Sequence, residues 1–327
     1  MAPSTSVTED RRPLLELLPR LEERVPWPRV ADGLPTPLDQ IDDGLWVKRD
    51  DFTSTVYGGN KVRKLEPLLG QAVARGGPVI TAGATGSHFA VATATHAARL
   101  GVGVEVVRFP QPMTDHVREV ADHFRRLGAS ETPVKNPYLF PLVQLRRRVA
   151  RRAEDPLFVP TGGSSPTGTL GYVNAGLELV EDHERLDLDQ PHEVVVAAST
   201  CGTAVGLSIG LALAGWTSCT VVAVRVADAA LTNRVWIGQL RARTQHLLRR
   251  AGAPSRAPTR LLVEPRFLGK GYGVPSAEGD AATAFAAEAW DLALEPTYTA
   301  KAVAAVLDRR RPGLRQVYVH TYAQPRL

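Results

Sequence analysis

The chain has 327 residues, 44% hydrophobic and 22% charged, with a net charge of +5. That balance belongs to a folded globular protein with room for about two domains, and it excludes a disordered or low-complexity chain. The densest basic clusters, Arg146-Arg147-Arg148 and Arg151-Arg152, carry no interleaved aromatics and no nucleic-acid motif; they read as a solvated helix face, and no nucleic-acid partner is expected.

From the N-terminus, Met1 to Arg12 is polar and carries no signal-peptide pattern, which with the scarcity of cysteine points to the cytoplasm. Tyr57-Gly58-Gly59-Asn60-Lys61 then leads into an apparent helix opened by Lys61. Pro78 to Thr81 reads as a strand, Phe89 to Leu100 as a helix stopped at Gly101, Val102 to Arg108 as a strand, and Asp115 to Leu127 as a helix closed by Gly128. A second alternating set begins at Glu193, and Ala251 to Thr259 reads as a surface loop. There is no internal repeat. Strands alternating with helices predict an α/β fold with parallel sheets and right-handed crossovers.

Val194 to Val224 holds no charge and is long enough to span a bilayer. Ser199-Thr200-Cys201-Gly202-Thr203 interrupts it, so it divides into strand Val194–Val196, a loop, helix Ala204–Trp216 and strand Thr220–Val226. Buried parallel strands are apolar on both faces, and no membrane partner is expected. Cys201 and Cys219 are too few and too far apart for a disulfide framework or a C-x-x-C site, and no metal is expected.

Ligands of such folds sit beyond the carboxyl ends of strands, with anions at helix N-termini. Three segments suit that place: Tyr57 to Lys61, Ala82 to His88, and Ser199 to Thr203; Thr161 to Gly171 and Gly269 to Gly273 are also rich in glycine. Backbone amides and hydroxyls of Ser199 to Thr203 can ring a phosphate, although an ordinary strand-to-helix turn reads the same way. Neither a Walker nor a dinucleotide fingerprint is present. A lone lysine is usually solvated, but Lys61 sits behind two glycines at a helix start, where the local field and partial burial lower an amine's proton affinity.

Taken together, the motifs resemble the D-cysteine desulfhydrase and 1-aminocyclopropane-1-carboxylate deaminase family, pyridoxal phosphate enzymes of the tryptophan-synthase-β fold type. The resemblance runs over about residues 30 to 321. It is carried by Val47-Lys48-Arg49-Asp50-Asp51-Phe52, Gly58-Gly59-Asn60-Lys61-Val62-Arg63-Lys64-Leu65-Glu66, Gly83-Ala84 through Ser87, Gly162-Gly163-Ser164 through Gly171-Tyr172-Val173, Gly271-Tyr272-Gly273-Val274-Pro275, and Pro296-Thr297-Tyr298-Thr299-Ala300-Lys301-Ala302. It implies two open twisted, mostly parallel sheets flanked by helices (fold type II). Residues 1–54 and 161–327 would form a large cofactor-binding domain, residues 55–160 a small one, and the chain would be a homodimer acting on a small amino acid.

The resemblance also implies residue roles. Lys61 would hold pyridoxal phosphate as a Schiff base and Asn60 would help seat it. Ser199, Thr200, Cys201, Gly202 and Thr203 would hold its phosphate, and Thr321 would face its pyridine nitrogen. Ser87 would take the substrate carboxylate or move a proton, and Tyr272 and Tyr298 would act as hydroxyl donors or bases.

The chain departs from the family pattern at several points. His88 stands where the family has the asparagine that bonds the ring oxygen, only Gly202-Thr203 keep the usual Gly-Ser-Gly-Gly-Thr loop, and Tyr322-Ala323 replace two glycines. Thr299 stands where the deaminase branch has a glutamate that protonates the ring, and a neutral ring partner suits β-elimination. The expected reaction is therefore elimination of the D-cysteine desulfhydrase type, giving a keto acid and ammonia. The alternatives are ring opening, a specialised elimination or substitution, or a silent cofactor-binding homologue.

Overall fold

The computed structural model describes residues 11–111, 113, 115–135 and 140–323. Helices α1 (Pro13–Leu17) and α2 (Arg20–Arg24) precede a hairpin of β1 (Leu38–Asp42) and β2 (Leu45–Arg49). Helix α3 (Asn60–Arg75) leads into β3 (Val79–Ala84), α4 (His88–Ala98), β4 (Val104–Phe109), α5 (Asp115–Arg126), β5 (Ser130–Pro133), α6 (Phe140–Ala150) and β6 (Leu157–Phe158). Then follow α7 (Pro166–Arg185), β7 (Glu193–Ala198), α8 (Gly202–Leu213), β8 (Thr220–Arg225), α9 (Arg234–Arg250) and β9 (Arg260–Glu264). The last elements are α10 (Ala277–Trp290), α11 (Thr299–Arg309) and β10 (Gln316–His320).

Two sheets result. One is six-stranded in the order β1-β2-β10-β7-β8-β9, and the other four-stranded in the order β5-β4-β3-β6. Only the β1–β2 pair is antiparallel among the described strands. The expected α/β architecture of mostly parallel sheets flanked by helices is therefore present. Central strand β7 is buried at every position, as a strand covered on both faces must be. No described helix is long and apolar enough to cross a membrane.

The charge-free stretch folds as strand, helix and strand, but its helix begins earlier than expected. Cys201 takes a left-handed φ of 64°, so Gly202 and Thr203 form the first turn of α8 instead of the loop. Helix α8 packs on α7 across glycines: a Cβ on Gly206 would lie 2.4 Å from that of Tyr172. On the other side of α7, a Cβ on Gly171 would lie 1.9 Å from the Arg63 carbonyl oxygen. Only glycine admits both approaches, and together they set the N-terminal ends of α3 and α8 side by side. Arg146, Arg148 and Arg152 are exposed, as a solvated face requires, while Arg147 and Arg151 are half-buried. Arg147 and Arg151 pair with buried Glu105 at 2.7 and 2.8 Å, and Arg148 lies over the Phe158 ring.

Candidate active site

Helix α3 starts on the end of β10. The Asn60 amide donates to the Thr321 carbonyl at 3.1 Å, and the Gly59 amide to the Asp50 carbonyl at 3.0 Å. Gly59 has φ +94°, which a side chain would resist, and a Cβ there would come 3.0 Å from the Thr321 oxygen. Lys61 Nζ donates to Asn60 Oδ1 at 3.2 Å, and Asn60 Nδ2 reaches Thr203 Oγ1 at 3.4 Å. Burial pushes the Lys61 ammonium below its ordinary range, partly opposed by the charge of Glu295. One turn on, buried Lys64 donates from Nζ to the Gly162 carbonyl at 3.2 Å. Burial and the neighbouring charge of Lys61 bring it down to about 7. Neither lysine pairs with a carboxylate among the described residues.

Both lysines lie near the start of α8, which has no side-chain cap and no acid in its first turn. The Ser199 carbonyl accepts from Thr232 Oγ1 at 2.6 Å, and the Thr200 carbonyl from Trp236 Nε1 at 3.1 Å. A trans peptide sets N–H opposite to C=O, so the Thr200 and Cys201 amides point away from those partners. Thr200 Oγ1 and the Gly202 amide share Ser164 Oγ at 2.6 and 3.2 Å.

The remaining expected residues form two aromatic groups. Tyr57 OH bonds His88 Nδ1 at 2.7 Å, and the His88 ring meets Tyr322 edge-on with centroids 6.5 Å apart. Ser87 caps α4, its Oγ accepting the Ala90 amide at 3.3 Å. On the far side the Tyr272 and Tyr298 hydroxyls are 2.5 Å apart, and Lys61 Nζ is 5.7 Å from the Tyr298 ring centroid. Desolvation within the pair raises the proton affinity of Tyr298 and, although its ring is half-exposed, of Tyr272. Thr299 faces Glu295: that carboxylate accepts the amides of Thr297, Tyr298 and Thr299 at 2.6–2.8 Å and caps α11. Thr321 meets this region through its carbonyl, on Asn60. No three or more acidic, histidine or cysteine side chains cluster as metal ligands among the described residues.

The sequence profile of the pyridoxal-phosphate dependent enzymes matches residues 31–321. The chain belongs to that family. Within it, the chain is 31% identical to a D-cysteine desulfhydrase of Klebsiella pneumoniae subsp. pneumoniae over 96% of each chain. A Pyrococcus furiosus protein provisionally named a 1-aminocyclopropane-1-carboxylate deaminase is 37% identical, over 61% of each chain. The crystal structure of an ACC deaminase homologue superposes with a TM-score of 0.78 at 26% identity, covering 94% of each chain. The protein is thus a pyridoxal phosphate enzyme of the desulfhydrase and deaminase group.

The side chains fit that cofactor. A phosphate suits open helix-start amides beside Lys64, which has no carboxylate partner among the described residues. An aldehyde suits an amine whose proton affinity burial has lowered. Lys64, Ser164, Tyr57 and Glu295 are the residues that sequence reading left unassigned. Lys64 was within reach, because residues three apart share a helix face. Ser164 and Glu295 were not, because their partners are set by tertiary folding or by a local cap.

Proposed function

We propose that this enzyme carries out β-elimination on a small amino acid of the D-cysteine type, expelling the β-substituent with a proton and leaving an enamine that one water hydrolyses to a keto acid and ammonia. The observation that carries the reading is the partly buried Lys61 amine, bridged through Asn60 to the start of α8 and lying beside the Tyr272–Tyr298 pair. Bound covalently, pyridoxal phosphate withdraws electrons from the amino acid's Cα and acidifies its proton. Lys61 holds the cofactor at rest and, once displaced by the substrate amine, takes the Cα proton. Ser87 and the start of α4 hold the substrate carboxylate. The Tyr272–Tyr298 pair keeps its protons at neutral pH, which suits donation to the departing thiolate. Asn60, Lys64 and residues Ser199 to Thr203 hold the phosphate, with Thr321 and His88 at the ring.

Elimination is preferred over ring opening because Thr299 carries no acid and the Glu295 carboxylate is turned onto three backbone amides. The domain division belongs to the same proposal: residues 1–54 and 161–327 around the six-stranded sheet, and 55–160 around the four-stranded one. So does a homodimer, which light scattering would check.

The test is an absorbance spectrum of protein purified with pyridoxal phosphate, with and without Lys61→Ala, followed by turnover assays. The wild type should show a band near the visible–ultraviolet boundary that the variant lacks. D-cysteine should then yield sulfide and pyruvate faster than L-cysteine does. Consumption of 1-aminocyclopropane-1-carboxylate with D-cysteine untouched would hand the reaction to the deaminase reading, and absence of the band would defeat both.

A further inference from the structure

We infer that Lys301 is a positioning residue that fixes Tyr272 against Tyr298, an inference that rests on the roles proposed above for those two hydroxyls. Lys301 lies in α11 and is fully buried. Its Nζ donates to the Leu268 carbonyl at 2.7 Å and the Gly271 carbonyl at 3.0 Å. No carboxylate pairs with it among the described residues; Glu295 acts on it only at longer range. An aliphatic side chain of that length would fill the same space at a lower desolvation cost. What the ammonium adds is a grip on two carbonyls, through charge-assisted bonds that neutral donors do not match.

Those carbonyls lie on the stretch that leads directly into Tyr272. Gly269, Gly271 and Gly273 have φ of +64°, +144° and +73°, and a Cβ on Gly271 or Gly273 would meet nothing within 4 Å. The segment therefore stands clear of its surroundings, and Tyr272 is 55% exposed. Among the described residues its other hydrogen bonds are from the Leu268 amide to Pro265 at 3.5 Å, from the Val274 amide to Gly271 at 3.4 Å, and the hydroxyl pair, whose rings also meet edge-on. Tyr298, the N-cap residue of α11, precedes Lys301 by three residues. The start of α11 thus carries, on its N-cap and in its first turn, both a phenol and the amine that holds the opposite phenol's loop.

The experiment makes Lys301→Met and Lys301→Gln in the wild type and in Tyr272→Phe, and reads two signals. Tryptic cleavage after Lys270, followed by fragment mass, should accelerate about tenfold in Lys301→Met as the loop is released. It should accelerate less in Lys301→Gln, which keeps two N–H donors. Turnover of D-cysteine should lose about tenfold to a hundredfold in kcat, with KM moved less, as a small misplacement of a reacting group does. That loss should vanish when Tyr272 is already phenylalanine. Equal cleavage rates in wild type and Lys301→Met overturn the inference, and so does a kcat loss that persists undiminished in Tyr272→Phe. A wild type with no turnover on D-cysteine defeats the proposed reaction alone, because the cleavage comparison still decides whether Lys301 holds the loop.

Discussion

Helix α3 carries buried charge in two directions, and the two are treated oppositely. Toward α7, Arg63 is enclosed by acids: it bonds Asp50 Oδ1 at 2.8 and 3.0 Å and Glu178 Oε2 at 2.8 Å. Lys48 joins Glu178 at 2.6 Å, and Tyr172 OH donates to Asp50 at 2.5 Å. Toward α8, Lys61 and Lys64 hydrogen-bond only amide and carbonyl oxygens among the described residues. Compensated charge fixes the helix in place. Uncompensated cations on the same helix leave a field that only an incoming anion satisfies, and this is where pyridoxal phosphate enters the energetics.

The largest expected effects test that contrast directly. Lys61→Ala should lower turnover by at least about a thousandfold, as loss of both anchor and base implies, while thermal stability is kept. Arg63→Ala should do the reverse in kind: about 3–5 kcal/mol of stability lost in denaturant unfolding, because buried Asp50 loses its cation and Glu178 keeps only Lys48. If Lys61→Ala unfolds the protein as readily as Arg63→Ala, the two directions do not differ and the contrast fails.

The parts of this arrangement legible in the sequence were those written locally. Small polar residues between the apolar runs of β7 and α8 announced an anion loop, and two glycines before Lys61 announced an unusual amine. The helix of that loop still starts earlier than the apolar pattern suggests, because Cys201 turns left-handed and lets Gly202 and Thr203 wind into α8. The compensating side of α3 was not legible. Arg63 and Glu178 are 115 residues apart, and no local pattern announces their bond. The same holds for Lys301, whose carbonyl partners lie about thirty residues upstream.

A smaller effect, read against pH, sharpens the uncompensated side. Lys64 sits at about 7 in the folded protein, against an ordinary lysine value of 10.5. Between those values the unfolded chain binds the extra proton, so cofactor-free protein gains stability as pH rises from about 7 toward 10. Lys64→Met should remove on the order of 1–3 kcal/mol of that rise, leaving the slope that belongs to Lys61, whose shift has the same direction. Affinity for pyridoxal phosphate should show the opposite slope. It weakens above pH 7 in the wild type as the Lys64 ammonium is lost, and the titration flattens in Lys64→Met. Parallel titrations of the two proteins would remove Lys64 from the phosphate site.

The smallest expected effect concerns the hinge between the two directions. Cys201 occupies a left-handed conformation that glycine adopts freely, at a cost of about 1 kcal/mol or slightly more. Its side chain is buried, and removing it forfeits about 1 kcal/mol of apolar burial. Cys201→Gly should therefore change unfolding free energy by less than about 1 kcal/mol, since relief and loss nearly cancel. Pyridoxal phosphate affinity should hold as well, because the phosphate site is built from backbone amides, Asn60 and Lys64. A loss of binding of tenfold or more with stability intact would mean that the Cys201 side chain itself shapes the site, and that the unpaired lysines are not its main source of attraction.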